Sequence, residues 1–176
     1  MTQIRLATVL DRDSIHEIHM RAFPESENQI VATLAVDLLS EKTQPETFAL
    51  IAETHDAVVG HIAFSPVNMD NNKWKGYILA PLGVIPEYQK RRIGSTLIES
   101  GIERLSKEGV HVLFVYGDPA YYGKFGFNAN AASKYSPPYP LQYPFGWQAI
   151  TLNESGYAES NGRLWCVASL RDPELW

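Results

Sequence analysis

Gln89-Lys90-Arg91-Arg92-Ile93-Gly94 concentrates three cations in a short stretch of an otherwise acidic chain. The apolar run before it, Tyr77 to Ile85, reads as a long strand that breaks at Pro86. After it, Ile93, Leu97, Ile98, Ile102 and Leu105 recur at helical spacing, which predicts a helix from Ile93 to Glu108 ended by Gly109. Strand, cationic loop and helix start thus follow in order. The first amides of a helix have no partner within it, and the positive end of its dipole lies at the same place. Together they suit an anion, and the local cations suit a polyanion such as a pyrophosphate.

The strand before the loop is irregular. Pro81 lies inside it and Gly83 follows. Proline donates no hydrogen bond to a ladder, so it marks an edge or a bulge. One reading is a structural bulge with no ligand. The other is a strand that parts from its neighbour near Pro81 and leaves main-chain groups of Leu82 and Val84 open to a ligand. The adjacent anion loop favours the second.

The remaining pattern supplies the elements that must hold this loop. Ile4 to Thr8 reads as a strand, and Asp11 as the cap of a helix through Phe23, stopped by Pro24. Ile30, Val31, Leu34 and Leu38 mark a second helix from Glu27 to Ser40. Thr47 to Thr54 and Ala57 to Pro66 form a predicted hairpin around His55-Asp56. Met69 to Lys75 is a polar connection. His111 to Gly117 reads as a buried strand and Pro119 to Phe125 as a helical turn. Ala129 to Gly146, rich in Pro, Tyr and Ser, reads as irregular surface. Trp147 to Leu152 and Leu164 to Leu170 are expected to close the sheet. The length of 176 residues, without repeat or linker, fits one domain over 1–176.

The net charge of −5 argues against general affinity for nucleic acid or anionic membrane. Cys166 is the only cysteine, so no intrachain disulfide forms, as suits a reducing compartment. With no signal-peptide pattern and no apolar run of spanning length, a cytoplasmic protein is expected.

Leu82-Gly-Val-Ile-Pro-Glu-Tyr-Gln89-Lys-Arg-Arg-Ile-Gly94-Ser resembles the acetyl-CoA loop of the GNAT-type N-acetyltransferase superfamily, whose usual form is Gln or Arg, two residues, Gly, one residue, then Gly or Ala. Gln89 and Gly94 match; Arg92 stands where the first glycine is usual. Gly117-Asp-Pro-Ala-Tyr-Tyr122-Gly-Lys-Phe-Gly-Phe127 is similar to the family's late block, Tyr-x-x-x-Gly-Phe, in the extended form of a branch of small bacterial predicted acetyltransferases. The element order agrees from residue 3 to about residue 127.

The resemblance implies an α/β (α+β) GNAT fold: a mixed, mostly antiparallel twisted sheet, parted between two central strands, with helices on both faces. It implies acetyl-CoA or coenzyme A as co-substrate and no metal. Leu82, Gly83 and Val84 would hold the pantetheine arm, with the Val84 amide polarising the thioester oxygen. Gln89, Lys90, Arg91, Arg92, Ile93, Gly94 and Ser95 would hold the diphosphate. Tyr122 would be the general acid that protonates the departing thiolate; without the motif it reads as a core aromatic. The acceptor would be a primary amine of a small molecule or peptide. Because members of the family commonly pair, a homodimer is an expectation too.

An alkyl amine is almost wholly protonated at neutral pH, so a base is needed. Glu25, Glu27, Glu53, His61 and His111 are candidates, and His16 and His19 lie three apart on the first helix. Each alone is more often structural or solvated. No HExxH, cysteine cluster or Gly-x-Ser-x-Gly elbow is present, and Cys166 reads as a core residue. The aromatic segment Tyr135 to Trp147 suits an acceptor-pocket wall, a packing flap or a dimer contact equally. A non-catalytic acyl-CoA sensor is the alternative, disfavoured because binding alone needs no acid at Tyr122. Nucleotide binding lacks both the P-loop and Gly-x-Gly-x-x-Gly.

Overall fold

The computed structural model describes residues 1–69, 73–154 and 161–176. Their contacts separate into two units, Met1–Phe64 with Ala80–Gly101, and Ser65–Leu79 with Ile102–Trp176. Part of the expected polar connection, 70–72, lies outside the described residues.

In the first unit, β1 (Thr2–Leu6) pairs antiparallel with β2 (Phe48–Thr54), which pairs antiparallel with β3 (Ala57–Asn68). The β2–β3 turn falls on His55 and Asp56, with φ of 52° and 64°. Two successive left-handed residues make the turn whose twist matches paired strands. The helices α1 (Arg12–Ala22) and α2 (Asn28–Ser40) bury apolar faces built from Ile15 and Ile18, and from Ala32, Leu34, Ala35, Val36 and Leu38. Ile15, Ala35 and Ile51 meet in one fully buried cluster, so α1 and α2 share a core with β2. The unit also holds the end of β4 (Gly76–Val84) and the start of α3 (Ile93–Lys107).

Asp11 does not cap α1 as expected. Its carboxylate accepts hydrogen bonds from Arg5 Nη1 and Nη2 at 3.0 and 2.8 Å and from the Thr8 amide at 2.8 Å. Thr8 and Asp11 instead cap a 3-10 turn, Val9–Asp11, that precedes the helix. Arg5 also grips Glu53 across the β1–β2 pair. The hydrogen bonds from Arg5 hold both carboxyls below the ordinary range. A depressed carboxyl stabilises the fold above its unfolded pKa, near 4, and loses that effect as pH falls through its folded value. Arg5→Gln is therefore expected to lower unfolding free energy at pH 7 and to flatten the acid side of the stability curve. Urea melts at pH 7 and pH 3 measure this; equal acid slopes in variant and wild type would contradict it.

In the second unit, β4 pairs in parallel with β5 (Val112–Tyr116) from Gly76↔Val112 to Leu79↔Val115. Next come α4 (Pro119–Tyr122), α5 (Ala129–Ala132), β6 (Tyr135–Ser136) and β7 (Trp147–Thr151), the last antiparallel to β5. Phe114 stacks on Trp147 at 5.1 Å and meets Tyr135 edge-on at 5.1 Å. Two corrections fall here. The segment Ala129 to Gly146, expected to be irregular, carries α5, β6 and a 3-10 turn. The expected strand Leu164 to Leu170 shrinks to β9 (Trp165–Cys166), paired with β3, before a 3-10 turn at Ala168–Leu170. A two-residue strand β8 (Gly162–Arg163) pairs with β6.

Among the described residues the sheet runs β1-β2-β3-β4-β5-β7 with β9 on β3, a mixed sheet of the expected α/β class. No helix among them is long and apolar enough to cross a membrane.

Candidate active site

The β4–β5 ladder stops at Leu79, ahead of Pro81, while β4 itself continues to Val84. Ile85 donates its amide to the Val59 carbonyl on β3 at 3.0 Å. Alternate strand residues face opposite edges, so the Val84 amide points to the edge away from β3. Its carbonyl is already used, because Gln89 Nε2 donates to Val84 O at 2.9 Å. Gln89 thus ties the loop to the strand by its side chain, a role its place in the loop motif did not reveal.

A 3-10 turn, Pro86–Tyr88, carries β4 into the loop. Lys90 and Arg92 are left-handed, with φ of 62° and 64°, while Arg91 between them is not. Such alternation turns successive amides toward one side, making an anion-binding concavity. A glycine would reach these angles freely; a side chain there costs about 1–2 kcal/mol. Arg92 therefore adopts a backbone angle that a glycine would reach freely. Thr96 N donates to Arg92 O at 2.9 Å, the first bond of α3. Among the described residues, the amides of Lys90 through Ser95 have no hydrogen-bond partner. The cations are exposed: Arg91 lies over the Tyr88 ring at 5.0 Å, and Arg92 approaches Glu99 at 3.7 Å.

Tyr122 closes α4, a turn capped by Asp118, which accepts from the Ala120 amide at 2.9 Å. Its ring lies on Gly117, where a Cβ would come within 2.6 Å, and meets Tyr121 and Phe127 edge-on. Its hydroxyl makes no hydrogen bond among the described residues. Burial, then Tyr121 and Asp118, raise its pKa above the ordinary phenol value. The phenol therefore holds its proton at neutral pH.

The candidate bases divide sharply. Glu53 is bound to Arg5. His111 accepts the Lys75 amide at its Nδ1, 3.0 Å away, a structural role. Glu25 and Glu27 are exposed between α1 and α2, and His16 is half-buried. His19 and His61 come together: His19 Nε2 lies 2.8 Å from His61 Nδ1, and both are 0% exposed. Burial is the main cause that lowers both, His19 to about 3, so both are neutral. That pairing was missed in the sequence. Its signal was there, since His19 continues the apolar face of Ile15 and Ile18, and His61 lies in the apolar run of β3. Cys166 is buried, as a core residue should be.

A model of the acetyltransferase (GNAT) family matches residues 12–127. The chain is 38% identical over 136 residues to the uncharacterized N-acetyltransferase YjhQ of Escherichia coli K12, covering 74% of this chain and 72% of that protein. It is 30% identical over 129 residues to the uncharacterized N-acetyltransferase YhbS of the same strain, covering 73% and 74%. The crystal structure of E. coli YhbS in complex with CoA superposes with a TM-score of 0.83 at 25% identity, covering 96% of this chain and 91% of that one. A GNAT family acetyltransferase from Brucella melitensis in complex with acetyl-CoA gives 0.71 at 26% identity, covering 96% and 97%.

Proposed function

The chain belongs to the acetyltransferase (GNAT) family, and on that premise we propose that it moves an acetyl group from acetyl-CoA directly to a primary amine of a small molecule or peptide, acting as one domain over residues 1–176. The observation that carries this reading is the run of amides from Lys90 to Ser95 with no partner among the described residues, at the start of α3 and directly after the open edge of β4. Two relatives named above were solved with CoA or acetyl-CoA bound.

In this reading the Lys90–Ser95 amides hold the diphosphate, with Lys90, Arg91 and Arg92 adding charge. The pantetheine arm lies along β4 as an added strand, on main-chain groups of Leu82 and Val84 beside Gly83. The Val84 amide donates to the thioester oxygen and stabilises the negative charge that forms there. The amine nitrogen bonds to the carbonyl carbon and gives up a proton to solvent; the adduct then collapses, the carbon–sulfur bond breaks, Tyr122 gives the sulfur a proton, and the phenolate regains one from solvent. No covalent enzyme intermediate is required.

The test mixes the protein with acetyl-CoA and ethylamine, benzylamine, glycinamide or spermidine and follows free thiol. Amine-dependent thiol release is expected. Tight CoA binding with no acylation of any amine in a broader panel would replace this reading with that of a sensor.

A further inference from the structure

His19 and His61 form an isolated polar pair inside the apolar core of the first unit. The rings meet edge to face, with centroids 4.9 Å apart. Each imidazole has a second nitrogen, and both of these, His19 Nδ1 and His61 Nε2, are buried with no partner among the described residues. An apolar pair would fill the same space without that penalty. The His19 nitrogen also has a specific neighbour: a Cβ built on Gly83 would stand 2.8 Å from Nδ1. Gly83 lies between Leu82 and Val84, whose main chain holds the thioester in the proposed function. An imidazole nitrogen without a partner among the described residues is therefore held against the strand that binds the acyl group in the proposed function.

We propose that His19 is a catalytic residue of the acetyl transfer in its Nε2–H tautomer, its Nδ1 accepting the proton that the acceptor amine gives up, with His61 as the positioning residue that holds the ring through the 2.8 Å Nε2–Nδ1 hydrogen bond. This rests on the proposed function. With His19 Nε2–H donating to His61 Nδ1, the lone pair of His19 is left at Nδ1. As the carbon–nitrogen bond forms, the carbonyl π pair moves onto oxygen. The nitrogen keeps its N–H electron pair, and the proton passes to His19 Nδ1. His61 Nδ1 shares the resulting charge through the 2.8 Å bond. The carbon–sulfur pair leaves with sulfur, which takes the Tyr122 proton. The imidazolium then releases its proton to solvent, as the phenolate regains one. The net products are an amide and free thiol.

The environment supports this role. Burial keeps both rings neutral, so each retains a lone pair on one ring nitrogen. An oxyanion forming nearby favours the charged imidazole and raises its basicity when it is needed. Phe23, the half-buried residue after α1, packs beside the pair, its ring centroid 5.8 Å from that of His19. The exposed carboxylates Glu25 and Glu27 follow it and attract a cationic amine.

The experiment compares the wild type with His19→Gln and His19→Ala, using acetyl-CoA and whichever of the four amines turns over fastest. Gln keeps a donor toward His61 but offers no basic nitrogen. His19→Gln is expected to lower kcat by roughly 10²-fold or more, the usual worth of a general base, with acetyl-CoA affinity unchanged by calorimetry. In His19→Ala, added imidazole is expected to restore activity, and pyrrole, similar in shape but without a basic lone pair, is not. Should these variants fail to fold, the wild type labelled with ¹⁵N-histidine decides. Adding the amine to its complex with an acetyl-CoA analogue carrying CH₂ for sulfur should shift one unprotonated histidine nitrogen. Wild-type turnover with unaltered kcat in His19→Gln, no selective rescue by imidazole, or no ¹⁵N shift would overturn the role of His19 and leave the proposed function standing. Absence of any amine-dependent thiol release from the wild type would overturn both.

Discussion

Tyr122→Phe is expected to lower kcat by about 10²- to 10⁴-fold, the range for losing a positioned general acid, while acetyl-CoA affinity stays within about twofold. This corresponds to roughly 3–5 kcal/mol of barrier. The split follows from the surroundings of the ring. Phe keeps the contact with Gly117 and the edge-on contacts with Tyr121 and Phe127. The hydroxyl has no hydrogen bond among the described residues, so its removal strands no partner and the fold should be indifferent. What is lost is a proton for the departing sulfur, needed only once the carbon–sulfur bond stretches. The pKa direction makes a second demand. Because burial raises this phenol, wild-type kcat should show no falling limb from Tyr122 until pH passes the ordinary phenol value of about 10. Steady-state kinetics across pH, with calorimetric acetyl-CoA titrations of both proteins, measures both. Unchanged kcat in the variant would mean that the thiolate leaves unprotonated, or is protonated by another group.

Much of this was legible from local pattern. The helical face of Ile93, Leu97 and Ile98 is buried, Gly109 ends its helix at φ 79°, and His55-Asp56 makes the hairpin turn, because neighbours in sequence decide each of them. The loop's place between strand and helix was legible for the same reason, and Arg92 within it adopts a left-handed angle that glycine reaches freely. What escaped was set by partners distant in sequence. Asp11 read as a helix cap until Arg5, itself held by Glu53, captured its carboxylate. His19 and His61 are separated by 42 positions, and no spacing rule joins α1 to β3. The residues after Trp165 have apolar strand composition, yet only Trp165 and Cys166 find a partner strand. Composition proposes a strand there; pairing decides its length.

Gly83→Ala is expected to damage stability and catalysis together, although alanine suits a strand better than glycine does. The new Cβ would lie 2.8 and 2.9 Å from Nδ1 and Cε1 of His19 and 3.3 Å from Cγ2 of Ile18. A flexible surface side chain would swing away at little cost. His19 cannot, because it is fully buried and bound to His61. Either the imidazole pair separates or β4 moves, and overpacking of this kind costs about 1–3 kcal/mol. For a chain of this size that lowers Tm by roughly 3–10 °C. If β4 moves, Leu82 and Val84 move with it, and acetyl-CoA affinity falls as well as kcat. Gly123→Ala is the control for stability, since nothing lies within 4 Å of a Cβ there, and its Tm should hold or rise. The cause is separable from a general dislike of side chains in β4. In a double-mutant cycle, His19→Ala removes the obstructing ring, so Gly83→Ala should cost markedly less in that background than in the wild type. Additive losses, or a Gly83→Ala protein as stable as the wild type, would show that His19 does not pack on this strand, and the lone pair proposed to take the amine's proton would have lost its place beside the thioester.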